Sequence, residues 1–252
     1  MSSVAGPHGP SGPRRLRPVP NPPQQQSALP PQTAPRSTAV ESTASEAGAT
    51  VAGAPGSDAV RRALRAFTAP TPVMLDEGAA PARLAPFAVR LDLEVPANAL
   101  DYPRLARAAA PADEDDTEEP LATGRFVLLH DPRCPVEWEG VFRIVAFLRA
   151  SVDASMAADP TLTLVAWDWL VEQLEHHHAG AIAAAGTVTR TASQSFGRLE
   201  QRPALDTVEI RASWTIDPRP HGMDLAAIGA TADRHVAAFC GLALQAVGLP
   251  QF

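Results

Sequence analysis

Three groupings in this 252-residue chain combine side chains capable of chemistry. The densest is the stretch from His130 to Glu139, where a histidine base, the thiol of Cys134 and the carboxylate of Glu137 lie close in sequence. A nucleophilic site needs such groups at hydrogen-bond reach of one another. Here Pro132 and Pro135 punctuate the segment, and no glycine-rich oxyanion loop or nucleophile elbow accompanies it. An Asp131-Pro132 turn after a strand accounts for the same residues without catalysis. The second grouping, His176-His177-His178, suggests a metal. Consecutive helical residues point about 100° apart, so three in a row do not chelate one ion. Glu172 and His176, four apart, would make half a zinc site, and no second half follows at proper spacing. Imidazoles at a helix C-terminus, favoured by its partial negative charge, explain the triplet better. No metal or other cofactor is expected.

The third grouping is Arg143, Arg149, Glu209 and Arg211. These residues matter only if strands place them on one surface. Arginine among threonine hydroxyls is a natural lining for carboxylate or phosphate recognition. Cross-strand pairing of Glu209 with an arginine is the competing explanation.

The strands that would carry them alternate in polarity. Along Thr207–Ile216 the even positions are Val208, Ile210, Ala212, Trp214 and Ile216, and the odd ones carry Glu209 and Arg211. In Val141–Arg149 the even positions are again apolar, whereas the odd ones mix Arg143 and Arg149 with Val145 and Phe147. Period-two alternation marks a sheet with one face packed and the other at least partly wet. Further strands are expected at Gly124–His130, at Gly186–Ser193 (an edge, because Arg190 suits no core) and, short, at Val73–Leu75. Helices are expected from about Ser57, as N-cap to Val60, Leu64 and Phe67, from Pro81 to Glu94, and from Thr163 to His178. A long last helix, Asp224–Val247, bears an apolar stripe that includes His235 and ends in Gly248-Leu249-Pro250. His235 is then a buried, hydrogen-bonded histidine rather than a ligand. Strands joined without intervening helices favour antiparallel pairing, which gives an α+β two-layer sandwich: a mostly antiparallel sheet of four or five strands packed on helices.

Composition sets the outer limits. All 21 basic residues are arginine, so Schiff-base and Walker-lysine chemistry are excluded. The net charge of −7 argues against direct nucleic-acid binding. Two cysteines make no disulfide framework, and no apolar run has the ~18 residues of a membrane span or the form of a secretory signal. A cytoplasmic location is the expectation. Residues 1–57 hold 11 of the 26 prolines and almost no large apolar side chains. They read as a disordered extension, leaving 58–252 as one domain with an acidic loop at about 111–120.

Several phrases of the second half occur together in a known family. They are Ala122–Pro132, Ala157-Ala158-Asp159-Pro160, Trp167-Asp168-Trp169-Leu170, Gly186–Thr189, Ser195-Phe196-Gly197, Val208–Trp214 and Ala246–Pro250. The chain from about residue 58 resembles the DUF3000 family, uncharacterised proteins of high-GC Gram-positive bacteria. The resemblance implies no activity, cofactor or catalytic residue. The residues themselves point to a non-enzymatic interaction domain that binds a protein partner through Arg143, Arg149, Glu209 and Arg211. The alternative is a small-molecule binder or enzyme using His130, Cys134 and Glu137.

Overall fold

The computed structural model describes residues 55–101, 119–194, 196–199, 206–222 and 224–251, all within the unit Ala39–Phe252. Nearly all of the expected extension (1–54) and of the acidic loop lies outside the described residues.

Six strands form one antiparallel sheet: β1 (Met74–Gly78), β2 (Phe87–Val95), β3 (Ala122–His130), β4 (Phe142–Ser151), β5 (Ala181–Thr191) and β6 (Thr207–Ile216). Their order across the sheet is β1-β2-β3-β4-β6-β5, so β6 inserts between β4 and the edge strand β5. Helices α1 (Pro55–Ala66), α2 (Ala154–Ala158), α3 (Leu162–His176), α4 (Leu225–Gly229) and α5 (Ala232–Ala246) complete the α+β fold. The class is as expected, with six strands rather than four or five. α5 packs on β2, β3 and β4, while α3 covers β5 and β6.

The alternation in the strands decides which side the helices occupy. Phe126, Phe142, Ile144, Leu148, Ile210 and Trp214 are all buried on the helix side. There Phe126 meets Trp214 edge-on at 6.4 Å and the Phe239 ring of α5 at 5.8 Å. Gly186 lies on the same side of β5. A Cβ there would fall 2.4 Å from the Arg211 carbonyl and 2.7 Å from the Trp167 ring, so only glycine lets α3 settle this close.

Three expected elements differ. The helix expected over Pro81–Glu94 is absent: residues 81–86 form turns and Phe87–Glu94 belong to strand β2. Phe87, Val89, Leu93 and Val95 are buried at a spacing of two, and the long antiparallel register with β3 fixes the extended backbone. The helical i, i+3, i+7 match of Leu84, Phe87 and Leu91 was the weaker of two periods present, and Leu84 is exposed. The last helix is two helices, broken at Ala230-Thr231, where the Thr231 hydroxyl donates to the Ile228 carbonyl at 2.8 Å. The break lets α4 meet α1 at a glycine crossing, since a Cβ on Gly229 would fall 2.4 Å from the Gly56 carbonyl. Beyond α5, Gly248 adopts φ +72° and the Leu249 and Gly248 amides donate to the Leu244 and Gln245 carbonyls, the expected glycine stop. Finally, Ser57 is not the N-cap of α1. The helix starts at Pro55 and Ser57 is buried in its first turn.

Candidate functional site

The side of the sheet away from the helices is where the expected binding residues meet. Register fixes their neighbours: Arg149 lies opposite Glu209 and Thr123, Phe147 lies between Arg211 and Arg125, and Arg143 lies opposite Thr215. On β5, Thr187 faces Arg211 and Thr189 faces Glu209. All four sequence-derived residues therefore share one surface, on β4 and β6. Among the described residues no helix lies over it.

The four play different parts. Arg211 is 67% exposed, its guanidinium 5.3 Å above the Phe147 ring and 3.5 Å from the Glu209 carboxylate. An exposed ion pair at that distance contributes little. Arg149 is exposed, and among the described residues no hydrogen bond or ion pair engages its guanidinium. Arg143 is instead built into the fold. It donates to the Ala183 carbonyl at 3.0 Å, to Thr215 Oγ1 at 3.1 Å and to Ser213 Oγ at 2.6 Å. Ala183 sits at φ +49° in the bulge where the β5–β6 register shifts, so Arg143 ties β4 and β6 to that irregularity. Desolvation lowers its pKa, an effect that Glu139 opposes. Thr215 in turn donates to the Trp138 carbonyl, which folds the Asp131–Gly140 loop over this end of the surface.

Sequence reasoning missed Arg125 on β3, which is 54% exposed and 3.3 Å from Asp92. Its signal was present, since Gly124-Arg125-Phe126 continues the same alternation. Burial would raise the Asp92 pKa, but hydrogen bonds from Arg90 and Arg125 outweigh it and hold the carboxyl below its ordinary value. The open sides of β3, β4 and β6 together present Arg125, Arg143, Arg149 and Arg211 against a single acid, Glu209. Val145 is 41% exposed in their midst. Asp76, Asp92 and Glu94 lie with Arg90 on the open sides of β1 and β2, so the surface is net acidic at one margin and basic across its centre.

The alternative grouping is dispersed. His130 is buried on the helix side, stacked on Phe142 at 4.3 Å, with Nδ1 hydrogen-bonded to Ser57 Oγ at 2.9 Å. Burial lowers its pKa, against the raising effect of Asp131. Its Nε2 is buried without a partner. Cys134 and Glu137 are exposed on the loop, and no hydrogen bond links either side chain to His130. Asp131 pairs with Arg133 at 2.7 Å, which holds its carboxyl below the usual range.

The histidine triplet ends α3. His178 takes the left-handed conformation at φ +50°, and the following Ala179 amide closes onto the Leu174 carbonyl. Desolvation and the neighbouring imidazoles lower the His177 pKa. Among the described residues no three His, Cys, Asp or Glu side chains are placed to hold an ion. His235 is fully buried and accepts a hydrogen bond from Trp214 Nε1 at 3.0 Å. Burial, with Arg234 nearby, takes its pKa down to about 3.

A family model described as a protein of unknown function (DUF3000) matches residues 55–251. The chain belongs to the DUF3000 family. Comparison with curated proteins and with solved structures returned no match. The DUF3000 match takes in every strand of the sheet and both arginine-bearing faces of β4 and β6. No helix among the described residues is long and apolar enough to cross a membrane.

Proposed function

We propose that this DUF3000 protein is a non-enzymatic interaction domain, and that the open sheet surface around Phe147 receives an extended acidic segment of a protein partner. The observation that carries this is the concentration of charge. Four arginines and one glutamate lie on the open sides of β3, β4 and β6 in a chain whose net charge is −7. Arg125, Arg149 and Arg211 supply exposed planar donors suited to carboxylates. Phe147 and Val145 supply apolar area between them, and Thr187 and Thr189 add hydroxyls at the β5 margin. Strand side chains on one face repeat every second residue. The exposed arginines stand on three neighbouring strands, β3, β4 and β6, so an acidic partner segment crossing them matches the surface in sign. A single half-buried aromatic and no lysine make a poor platform for stacking bases.

The test is fluorescence anisotropy with a labelled decapeptide alternating glutamate and leucine, and with its lysine-for-glutamate counterpart. Saturable binding of the acidic peptide, weakened at least tenfold by Arg149→Glu with Arg211→Glu and by added salt, is expected. Equal binding of both peptides, or tighter binding of a single-stranded RNA oligomer, contradicts the proposal.

A further inference from the structure

We infer that the chain forms a two-fold dimer through the outer edge of β5, joining two six-stranded sheets into one of twelve. An edge strand leaves a row of backbone N–H and C=O groups unpaired, and proteins guard such edges with proline, charge, brevity or twist. The edge strand β1 is guarded: it has five residues, two of them acidic, with Pro72 and Pro81 nearby. β5 has eleven residues, and past its bulge Ala185–Thr191 runs regularly against β6. That stretch holds no proline. Its one charge, Arg190, turns to the helix side and donates to the Ala157 carbonyl at 2.7 Å.

The neighbouring helix points to a second copy as the occupant. Leu164 is 69% exposed and Val171 39% exposed, and with Trp167 they form a stripe at i, i+3 and i+7 of α3. The opposite side of α3 reaches α5 through Gln173 and Glu172, so the stripe faces outward over the β5 edge. Val171 and Leu174 line an apolar groove of 320 Å³ with Ala181 and Ala184 of β5. Trp167 sits over Gly186, and α3 runs antiparallel to β5. A helix rises about 1.5 Å per residue and a strand about 3.3 Å, so Leu164 stands roughly level with residues 187–188.

A two-fold axis at Val188 then satisfies several features at once. It pairs Thr187 with Thr189 of the second copy on the open side, a favourable cross-strand combination. It opposes Arg190 to Gly186, which offers no side chain to clash. It brings the two Leu164 side chains together over the seam, and it sets the exposed Asp168 at the level of the second copy's Arg190. Self-complementarity of this kind is what an isologous interface requires. The arginines around Phe147 remain uncovered, so the dimer and the peptide surface coexist and can fail separately.

Sedimentation velocity of the full chain between about 1 and 100 μM tests this, because a dimer of modest affinity dissociates within that range. A concentration-dependent dimer is expected. Leu164→Glu should weaken it at least a hundredfold, while Val136→Glu, at a still more exposed apolar site on the Asp131–Gly140 loop, should leave it unchanged. The double variant Thr187→Cys with Thr189→Cys should give a disulfide-linked dimer under mild oxidation. Circular dichroism confirms that each variant is folded. A chain monomeric throughout the range, or a dimer indifferent to Leu164→Glu, overturns the inference.

Discussion

The two sides of β4 and β6 differ by a single residue step and obey opposite rules. Trp214, Ile144, Ile210 and Leu148 are essentially inaccessible, whereas Arg149, Arg211 and Val145, each an odd position, face solvent. One side has traded its freedom for packing; on the other, Arg149, Arg211 and Val145 keep theirs. Residues of the first kind should control whether the domain folds, and those of the second what it binds.

The largest effect is expected at Trp214. Trp214→Ala removes the ring from the Phe126 cluster and leaves His235 Nδ1 without its donor, at a cost of ~3–5 kcal/mol in urea unfolding. Acid should come next, acting on the same side. The His235 pKa lies at about 3 in the folded protein, below its ordinary value, so the unfolded chain binds the extra proton. Stability should fall as pH drops below ~6.5, by up to about 1.4 kcal/mol per pH unit from this residue, levelling near pH 3. His130, also lowered by burial, acts in the same direction. The slope of unfolding free energy against pH checks this, and His235→Gln should flatten it.

Arg143 blurs the division between the two sides and therefore sharpens it. Although it lies on the open surface, Arg143→Met should cost ~1–2 kcal/mol, because the Ser213 and Thr215 hydroxyls and the Ala183 carbonyl lose their donor. The smallest stability change is expected for Arg149→Glu with Arg211→Glu, within ~0.5 kcal/mol of the parent by the same urea assay. A large loss there would mean that the open side is part of the structural core.

The alternation of Val208–Ile216 made the sheet and its wet side legible, because each strand buries one set of side chains against helices. It likewise placed Arg149 and Arg211 together. β2 was misread because Leu84, Phe87 and Leu91 fit a helical spacing while Phe87, Val89, Leu93 and Val95 fit an extended one. Only pairing with β3, a contact distant in sequence, settles which period is used. The division of the last helix escaped notice for a similar reason. Gly229 looks tolerable inside a helix until Gly56 of α1 approaches it. The Ser57–His130 hydrogen bond spans 73 residues, and no local pattern signals it. Arg143 was identifiable as a surface arginine but not as the partner of a bulge, since the bulge at Ala183 depends on β5 register.

Backbone amide chemical-shift mapping of the acidic decapeptide onto the full chain tests the central claim most directly. Shifts should concentrate at Arg125, Phe147, Arg149 and Arg211 with α3 and α5 unaffected, and should vanish in the folded Arg149→Glu/Arg211→Glu variant. Shifts centred on the helices, or retained in full by that variant, would contradict it.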